Sequence, residues 1–230
     1  MPGFILHLTA AQILLKRLPH HPDFPYEISS VNDFLIGNLL PDTTKQKDAS
    51  HFRNPAYYEK MMVFPDLTRF LQKYSFLLSN SSVLGYYFHL YIDRKFFKDF
   101  IPQVVEFYDK NGQITDIRDE VATVYIQKSQ TSIPFSNYLT EEYYYGDYTR
   151  MNTYLVNQYK IPLNLNPNVV NPGISEICYK DVQEILLQLH GFLAVSPEAV
   201  RELKVFPLEK LLLALEEYVE DFLSVPNKYL

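Results

Sequence analysis

The stretch from Ser81 to Ile101 constrains the fold of this chain more than any other part of the sequence. It reads SSVLGYYFHLYIDRKFFKDFI and has no proline before Pro102, so it predicts one long helix that Ser81 or Ser82 caps. From Val83 to Ile92 the residues are apolar or aromatic nearly all the way round this helix. Such a helix is normally buried on every side. We therefore predict a central helix around which the chain is organised.

Two polar residues, His89 and Asp93, interrupt this apolar helix. They are four residues apart and so lie on one face, and Gly85, one turn earlier, leaves room on that face. A buried aspartate is rare unless it is paired or bound to a cation. Two interpretations remain open from this stretch alone: a hydrogen bond between two core side chains, or two ligands of one metal ion.

Composition favours a helical globular protein and excludes some functions. The 230 residues are 47% hydrophobic with only 7 glycines, which predicts one domain with a substantial core. The formal charge of −6 argues against general binding of nucleic acid. Because Cys178 is the single cysteine, an internal disulfide framework is excluded and a reducing compartment is favoured.

The N-terminus predicts a helix of the mature fold and not a signal peptide. The segment MPGFILHLTAAQILLKR has no basic region before its apolar run, and His7 interrupts that run. We therefore expect a cytoplasmic protein. No stretch approaches the roughly 18 uninterrupted apolar residues of a membrane span, so no transmembrane segment is expected.

Three further residues in the first half of the chain are candidate metal ligands. His7 lies in the first turns of the N-terminal helix, Asp42 follows Pro41 at the end of a short helix, and His51 lies between Ser50 and Phe52. A turn aspartate and a solvated loop histidine are the alternatives for the last two. A mixed set of histidine and carboxylate suits zinc or another divalent transition metal. His190, on a leucine stripe near the C-terminus, is predicted to be a core histidine.

These motifs together resemble the zinc-dependent phospholipase C family and its many bacterial relatives. The resemblance covers about residues 1–100 and has four parts in order: M-P-x-x-x-x-H ending at His7, L-L-P-D ending at Asp42, S-H-F around His51, and H-x-x-x-D from His89 to Asp93. It implies an all-helical single domain with a cluster of up to three zinc ions. One or two ions are expected here.

The resemblance also implies a role for each candidate ligand. Asp93 would bridge two metals, with His7 serving the second. Two departures from the family pattern concern the metal count. Well-studied members use a free amino group at a processed N-terminus, and Met1 shows no sign of processing. They also draw on later histidines and glutamates, whereas no histidine lies between His89 and His190, and Asp99 substitutes only in part.

Together with the helical periodicity, the resemblance implies an all-α, single-domain bundle of several helices over residues 1–230, built around the buried metal-binding helix. The metal-site half spans about residues 1–101 and the C-terminal helices about residues 176–224. Residues 102–175 are the hardest to interpret. Residues 103–108 are predicted to continue as helix, and residues 141–148 to form a tyrosine-rich surface. Further helices are predicted at 4–18, 31–40, 56–62, 64–74 and 148–159.

The expected function is that of a zinc-dependent phosphoesterase acting on a small-molecule or lipid phosphodiester. Asp42 is the candidate catalytic residue, as a ligand and as a base that orients water. Arg94, Lys95 and Lys98 are either phosphate-neutralising groups or a solvated helix end. The alternative is a catalytically degenerate family member that uses a structural metal and binds a partner through residues 141–148.

Overall fold

The computed structural model describes residues 3–224, except for the side chains of residues 190 and 192. This part of the chain is mostly helical and includes a small antiparallel sheet. None of the helices in residues 3–224 is both long and apolar enough to cross a membrane. The α-helices are α1 (Phe4–Arg17), α2 (Val31–Gly37), α3 (Lys47–Ser50), α4 (Leu67–Tyr74), α5 (Ser81–Lys95), α6 (Phe135–Tyr138), α7 (Tyr144–Tyr159), α8 (Val182–Leu189) and α9 (Leu208–Ser224). The strands are β1 (Val105–Tyr108), β2 (Thr123–Ile126) and β3 (Thr131–Pro134).

Helix α5 is the buried central helix that the sequence predicts. Every residue from Ser81 to Asp93 is buried. The cap, however, is Asn80, whose side chain accepts hydrogen bonds from the backbone N–H groups of Ser82 and Val83. After α5 the chain continues as a π-helical turn at Phe96–Phe100. Such turns occur mostly as short interruptions of α-helices.

Two glycines fix how closely α2 approaches α5. A β-carbon added to Gly85 would lie 2.1 Å from the carbonyl oxygen of Phe34, and one added to Gly37 would lie 2.2 Å from that of Ser82. Only residues without a side chain allow backbones this close. The room predicted beside the polar face of α5 is therefore filled by the backbone of α2, which also brings Asn38 to α5.

The all-α prediction is wrong for part of residues 102–175. Strands β1, β2 and β3 pair antiparallel in that order, with Val105 opposite Ile126 and Val124 opposite Ile133. Residues 103–108, predicted as helix, end in β1. Buried and half-buried residues alternate along β1 and β2, which is the period of a strand with one face on the core. Each strand has four residues, too few for this period to be distinguished from a helical pattern in the sequence.

Helix boundaries follow the predictions closely where the apolar pattern is long. Helix α1 ends one residue short of the prediction, and α9 covers the last leucine-rich segment. The predicted helix at 31–40 is divided into α2 and a 3₁₀ turn at Leu40–Asp42. The predicted helix at 56–62 is only a 3₁₀ turn, Pro55–Tyr57. The core role predicted for His190 lies outside the described side chains.

The tyrosine-rich segment 141–148 is not the exposed surface that the sequence predicts. Helix α7 begins within it, and Tyr144, Gly146, Asp147 and Tyr148 are buried. Hydrogen bonds compensate for the burial of the Asp147 carboxylate. It accepts bonds of 2.7–2.9 Å from three consecutive backbone N–H groups, those of Lys204, Val205 and Phe206. Asp147 thus joins α7 to the segment that precedes α9.

Replacing Asp147 with asparagine should lower the free energy of unfolding by about 2 kcal/mol, because an amide has one acceptor oxygen where the carboxylate has two and carries no charge. Urea denaturation measures the change. Asp119→Asn, at an exposed position, is the matched control and should stay within about 0.5 kcal/mol of the parent protein. Equal effects of the two substitutions would contradict the role given to Asp147.

Candidate metal centre

The five candidate ligands lie together in one buried group, called here the His/Asp cluster: His7, Asp42, His51, His89 and Asp93. Four parts of the fold supply them: α1, the 3₁₀ turn after α2, the residue that follows α3, and α5. Their side chains are fully buried, apart from 3% exposure at Asp42. The fold thus assembles, from segments distant in sequence, the residues that the motifs single out.

The donor atoms of the cluster face one another at short distances. Nε2 of His51 lies 3.3 Å from Nε2 of His89, 3.3 Å from Oδ2 of Asp93 and 3.6 Å from Oδ1 of Asp42. Nε2 of His89 lies 3.9 Å from the same Oδ2 of Asp93. In a tetrahedral zinc site with bonds of about 2.0–2.1 Å, the ligand atoms are about 3.3 Å apart. The spacing of His51, His89 and Asp93 therefore fits donors around one zinc ion, and Asp42 lies within reach of His51.

Backbone carbonyl groups fix the orientation of the two central histidines. Nδ1 of His89 lies 2.8 Å from the carbonyl oxygen of Asn38, and Nδ1 of His51 lies 2.9 Å from that of Lys47. A carbonyl oxygen only accepts hydrogen bonds, so Nδ1 of each ring carries the proton and donates it. In the neutral rings, both Nε2 atoms therefore direct lone pairs toward each other. Bonds of this kind orient histidine ligands in metal sites.

Asp93 differs sharply from the other fully buried aspartate, Asp147. Among the described residues, neither carboxylate oxygen of Asp93 has a hydrogen-bond partner, and the same is true of both ring nitrogens of His7. Nε2 of His7 is 3.3 Å from Oδ1 of Asp93, without the angles of a hydrogen bond. A buried carboxylate without hydrogen bonds is costly, and a bound cation would compensate for it.

The protonation states of the cluster suit a cation. Burial acts to raise the pKa of Asp93, but the neighbouring His51 and His7 outweigh it and hold that pKa well below its usual range. At Asp42 burial also acts to raise the pKa, but the nearby His89, His51 and Lys47 outweigh it and lower that pKa. Burial, with His7 nearby, lowers the pKa of His89 to about 3. At pH 7 the carboxylates are therefore ionised and His89 is neutral, as metal ligands must be.

The donors form two groups of three that share His89. The donor atoms of His7, His89 and Asp93 lie within 4.8 Å of one another, as do those of Asp42, His51 and His89. The rings of His7 and His89 stack with centroids 3.7 Å apart. Because Nε2 of His89 can bind only one ion, it can serve only one of these two groups at a time. An ion beside His51 and His89 leaves His7 and Asp93 for a second among the described residues.

The backbone around His51 is held by its neighbours. Phe52 has a φ of +52°, a left-handed conformation that is uncommon for a bulky residue, and its ring packs against Phe70 with centroids 5.2 Å apart. The hydroxyl of Tyr86, on α5, donates a 2.5 Å hydrogen bond to the carbonyl oxygen of Ser50. Strained backbone of this kind tends to cluster at functional sites.

Two residues that contact the cluster, Asn38 and Lys47, are not predicted by any sequence motif. Asn38 orients His89 through its backbone carbonyl, and any residue type has such a group, so the sequence carries no signal for it. Lys47 donates a 2.8 Å hydrogen bond to Oδ1 of Asp42. It follows Asp42 by five residues in a polar segment, and only the turn into α3 brings the two together.

The cationic residues that follow Asp93 are engaged elsewhere. Arg94 donates to the carbonyl oxygen of Pro65, and Lys95 pairs with Asp99 and Asp221. Lys98 lines a separate, mostly apolar pocket of about 830 Å³ that also contains Phe97 and Ile101. Asp99 is therefore an ion-pair partner and does not join the cluster. Met1, whose amino group is at issue in the family pattern, lies outside the described residues.

Comparison with protein-family models, with curated proteins and with solved structures found no match.

Proposed function

We propose that this chain is a zinc-dependent hydrolase that cleaves a phosphate ester bond, as the resemblance of its motifs implies. One observation carries the proposal: the Nε2 atoms of His51 and His89 face each other at 3.3 Å beside a buried Asp93 carboxylate that has no hydrogen-bond partner. Without a cation, such an arrangement combines opposed lone pairs with an uncompensated charge. The nitrogen and oxygen donors and their spacing suit zinc among the divalent metals.

The roles of the chain's own residues follow from their positions. Zinc, when bound, lowers the pKa of a bound water molecule to about 7 and polarises a phosphoryl oxygen. His51, His89 and Asp93 would hold the ion from the core side. Asp42 is the one member of the cluster with any exposed surface, so it lies nearest to solvent and to an incoming substrate. It is therefore the candidate to orient a water molecule and accept its proton.

A second candidate function is supported by the burial of the cluster. Four of its five side chains are fully buried, and structural zinc sites are closed whereas catalytic ones keep an open position. The chain would then be a degenerate relative in which metal stabilises the fold. The tyrosine-rich segment 141–148 gives this alternative less support than the sequence suggests, because half of its residues are buried.

Metal content and hydrolysis of bis-4-nitrophenyl phosphate by the same preparation test the proposal. We expect about one to two zinc ions per chain after reconstitution, and hydrolysis that stops when a chelator removes them. Less than about 0.2 metal per chain after reconstitution would contradict a site of this kind, which should hold close to one ion. A full complement of zinc with no hydrolysis would favour the structural role.

A further inference from the structure

A second pocket is lined by residues on either side of His51 in sequence, among them Lys47, which bonds Asp42. It has a volume of about 940 Å³, within the range of small-molecule sites. Its walls come from residues 45–49 with α3, from residues 52–58, from α4 and from Glu176. Lys47 belongs to this wall and also bonds Asp42, so one side chain connects the pocket to the cluster. We call this the basic pocket.

The basic pocket is cationic in a chain that is acidic as a whole. Two carboxylates, Asp48 and Glu176, line it, whereas the chain has a formal charge of −6. A concave surface with an excess of one sign of charge concentrates ligands of the opposite sign. The pocket therefore favours anions. Five cationic side chains line it: Lys45, Lys47, Arg53, Arg69 and Lys73.

Two of these cations keep donors free for a ligand. Arg53 pairs through Nη1 with the exposed Asp48, at 3.1 Å, and its Nη2 makes no hydrogen bond within the described residues. Lys45 is exposed and has no ion pair within residues 3–224. Guanidinium and ammonium groups placed together are the usual means of binding phosphate, because their hydrogen bonds to it are charge-assisted.

We propose that the basic pocket binds the phosphate group of a small water-soluble phosphate ester, and that Lys47 exchanges Asp42 for this phosphate when the ligand binds. This inference rests on the proposed function for the identity of the chemistry, but the binding of phosphate does not depend on it. Arg53 and Lys45 hold the phosphate oxygens. The departure of Lys47 removes a positive charge from beside Oδ1 of Asp42 and so favours a metal ion at this carboxylate.

The exchange couples the two sites. With Lys47 on Asp42, an ammonium group lies 2.8 Å from the oxygen that would bind the metal ion, and its positive charge opposes a second cation there. An anion that attracts Lys47 should therefore strengthen metal binding, and by thermodynamic linkage the metal should strengthen binding of the anion by the same factor. Such couplings are typically about 5- to 150-fold. Seven of the 13 residues that line the pocket are charged, which favours a soluble phosphate ester over a lipid.

Calorimetric titration of the metal-free chain with inorganic phosphate at low ionic strength tests the pocket itself. We expect one saturable site, weakened about fivefold or more by Lys45→Gln and by Arg53→Gln. Lys110→Gln removes the same charge from an exposed position outside the pocket and should leave the affinity unchanged. Lys45 is also exposed, so its substitution should not disturb folding. No binding, or equal weakening by Lys110→Gln and Lys45→Gln, would overturn the proposal.

Titration with zinc, with and without sulfate, tests the exchange. Sulfate is a tetrahedral dianion that does not precipitate zinc. We expect sulfate to raise the zinc affinity of the parent chain about fivefold or more, and to have no effect on Lys47→Gln. Sulfate that strengthens zinc binding equally in both chains would overturn the exchange. A chain that binds phosphate through Arg53 and Lys45 but takes up no zinc would overturn the exchange and the proposed function and leave the phosphate site standing.

Discussion

Replacing Asp93 with asparagine should weaken zinc binding by more than about 100-fold. Loss of a group that merely orients a ligand costs about 10- to 100-fold in metal affinity, so loss of a ligand itself should cost more. Asparagine keeps the shape of the side chain and removes its charge. Its amide can also donate to the lone pairs on Nε2 of His51 or His89, which Asp93 cannot do. The metal-free variant should therefore be about as stable as the metal-free parent protein.

Thermal melts of both proteins, with zinc and with chelator, measure this prediction. Zinc at 100 times its dissociation constant should stabilise the parent chain by about 2.7 kcal/mol and leave Asp93→Asn unchanged. The control is Asp147→Asn, at the other fully buried aspartate, which should lower both midpoints and keep the zinc-dependent difference. An identical midpoint of the parent chain with and without zinc would falsify the assignment of Asp93 as a ligand.

Replacing Gly85 with alanine should destabilise the chain by about 3 kcal/mol, at the upper end of the cost of overpacking a core. The new β-carbon would lie 2.1 Å from the carbonyl oxygen of Phe34, so α2 must move away from α5. Asn38 and the turn that carries Asp42 follow α2 in sequence and would move with it. Zinc affinity should therefore fall as well, although Gly85 itself supplies no donor atom.

Urea denaturation and zinc titration of Gly85→Ala measure the two effects. Gly191→Ala is the matched control, because a β-carbon at that position meets no atom within 4 Å. This control should change the free energy of unfolding by no more than about 0.5 kcal/mol and should leave the zinc affinity unchanged. If Gly85→Ala were as stable as Gly191→Ala, the close approach of α2 and α5 would not be what positions the cluster.

The sequence predicts the residues of the candidate site more completely than it predicts the secondary structure. The sequence marks His89 and Asp93, because a charged residue on a helix that is apolar all round needs a partner. Short motifs in a fixed order add His7, Asp42 and His51. The structure brings all five together, yet it adds Lys47 and the carbonyl of Asn38, which no motif contains.

The missed elements share a physical cause. Strands β1 to β3 have four residues each. An alternating pattern this short predicts a strand only when the neighbouring strand with which it pairs is known. The tyrosine-rich start of α7 is polar in composition but buried, because Asp147 meets three backbone N–H groups from a segment 57–59 residues later in the chain. A local sequence pattern depends on neighbouring residues, so it cannot predict contacts with partners this distant in the chain.

By itself, the sequence determined the long buried helix, the residues on its polar face and the need for a counter-charge there. These properties follow from local periodicity and from the cost of burying a carboxylate. The tertiary structure alone decided which atoms meet. It set the 3.3 Å separation between His51 and His89, the orientation of both rings by backbone carbonyls, and the contact of Lys47 with Asp42. Such distances depend on how closely α2 packs against α5, which Gly37 and Gly85 permit but do not by themselves specify.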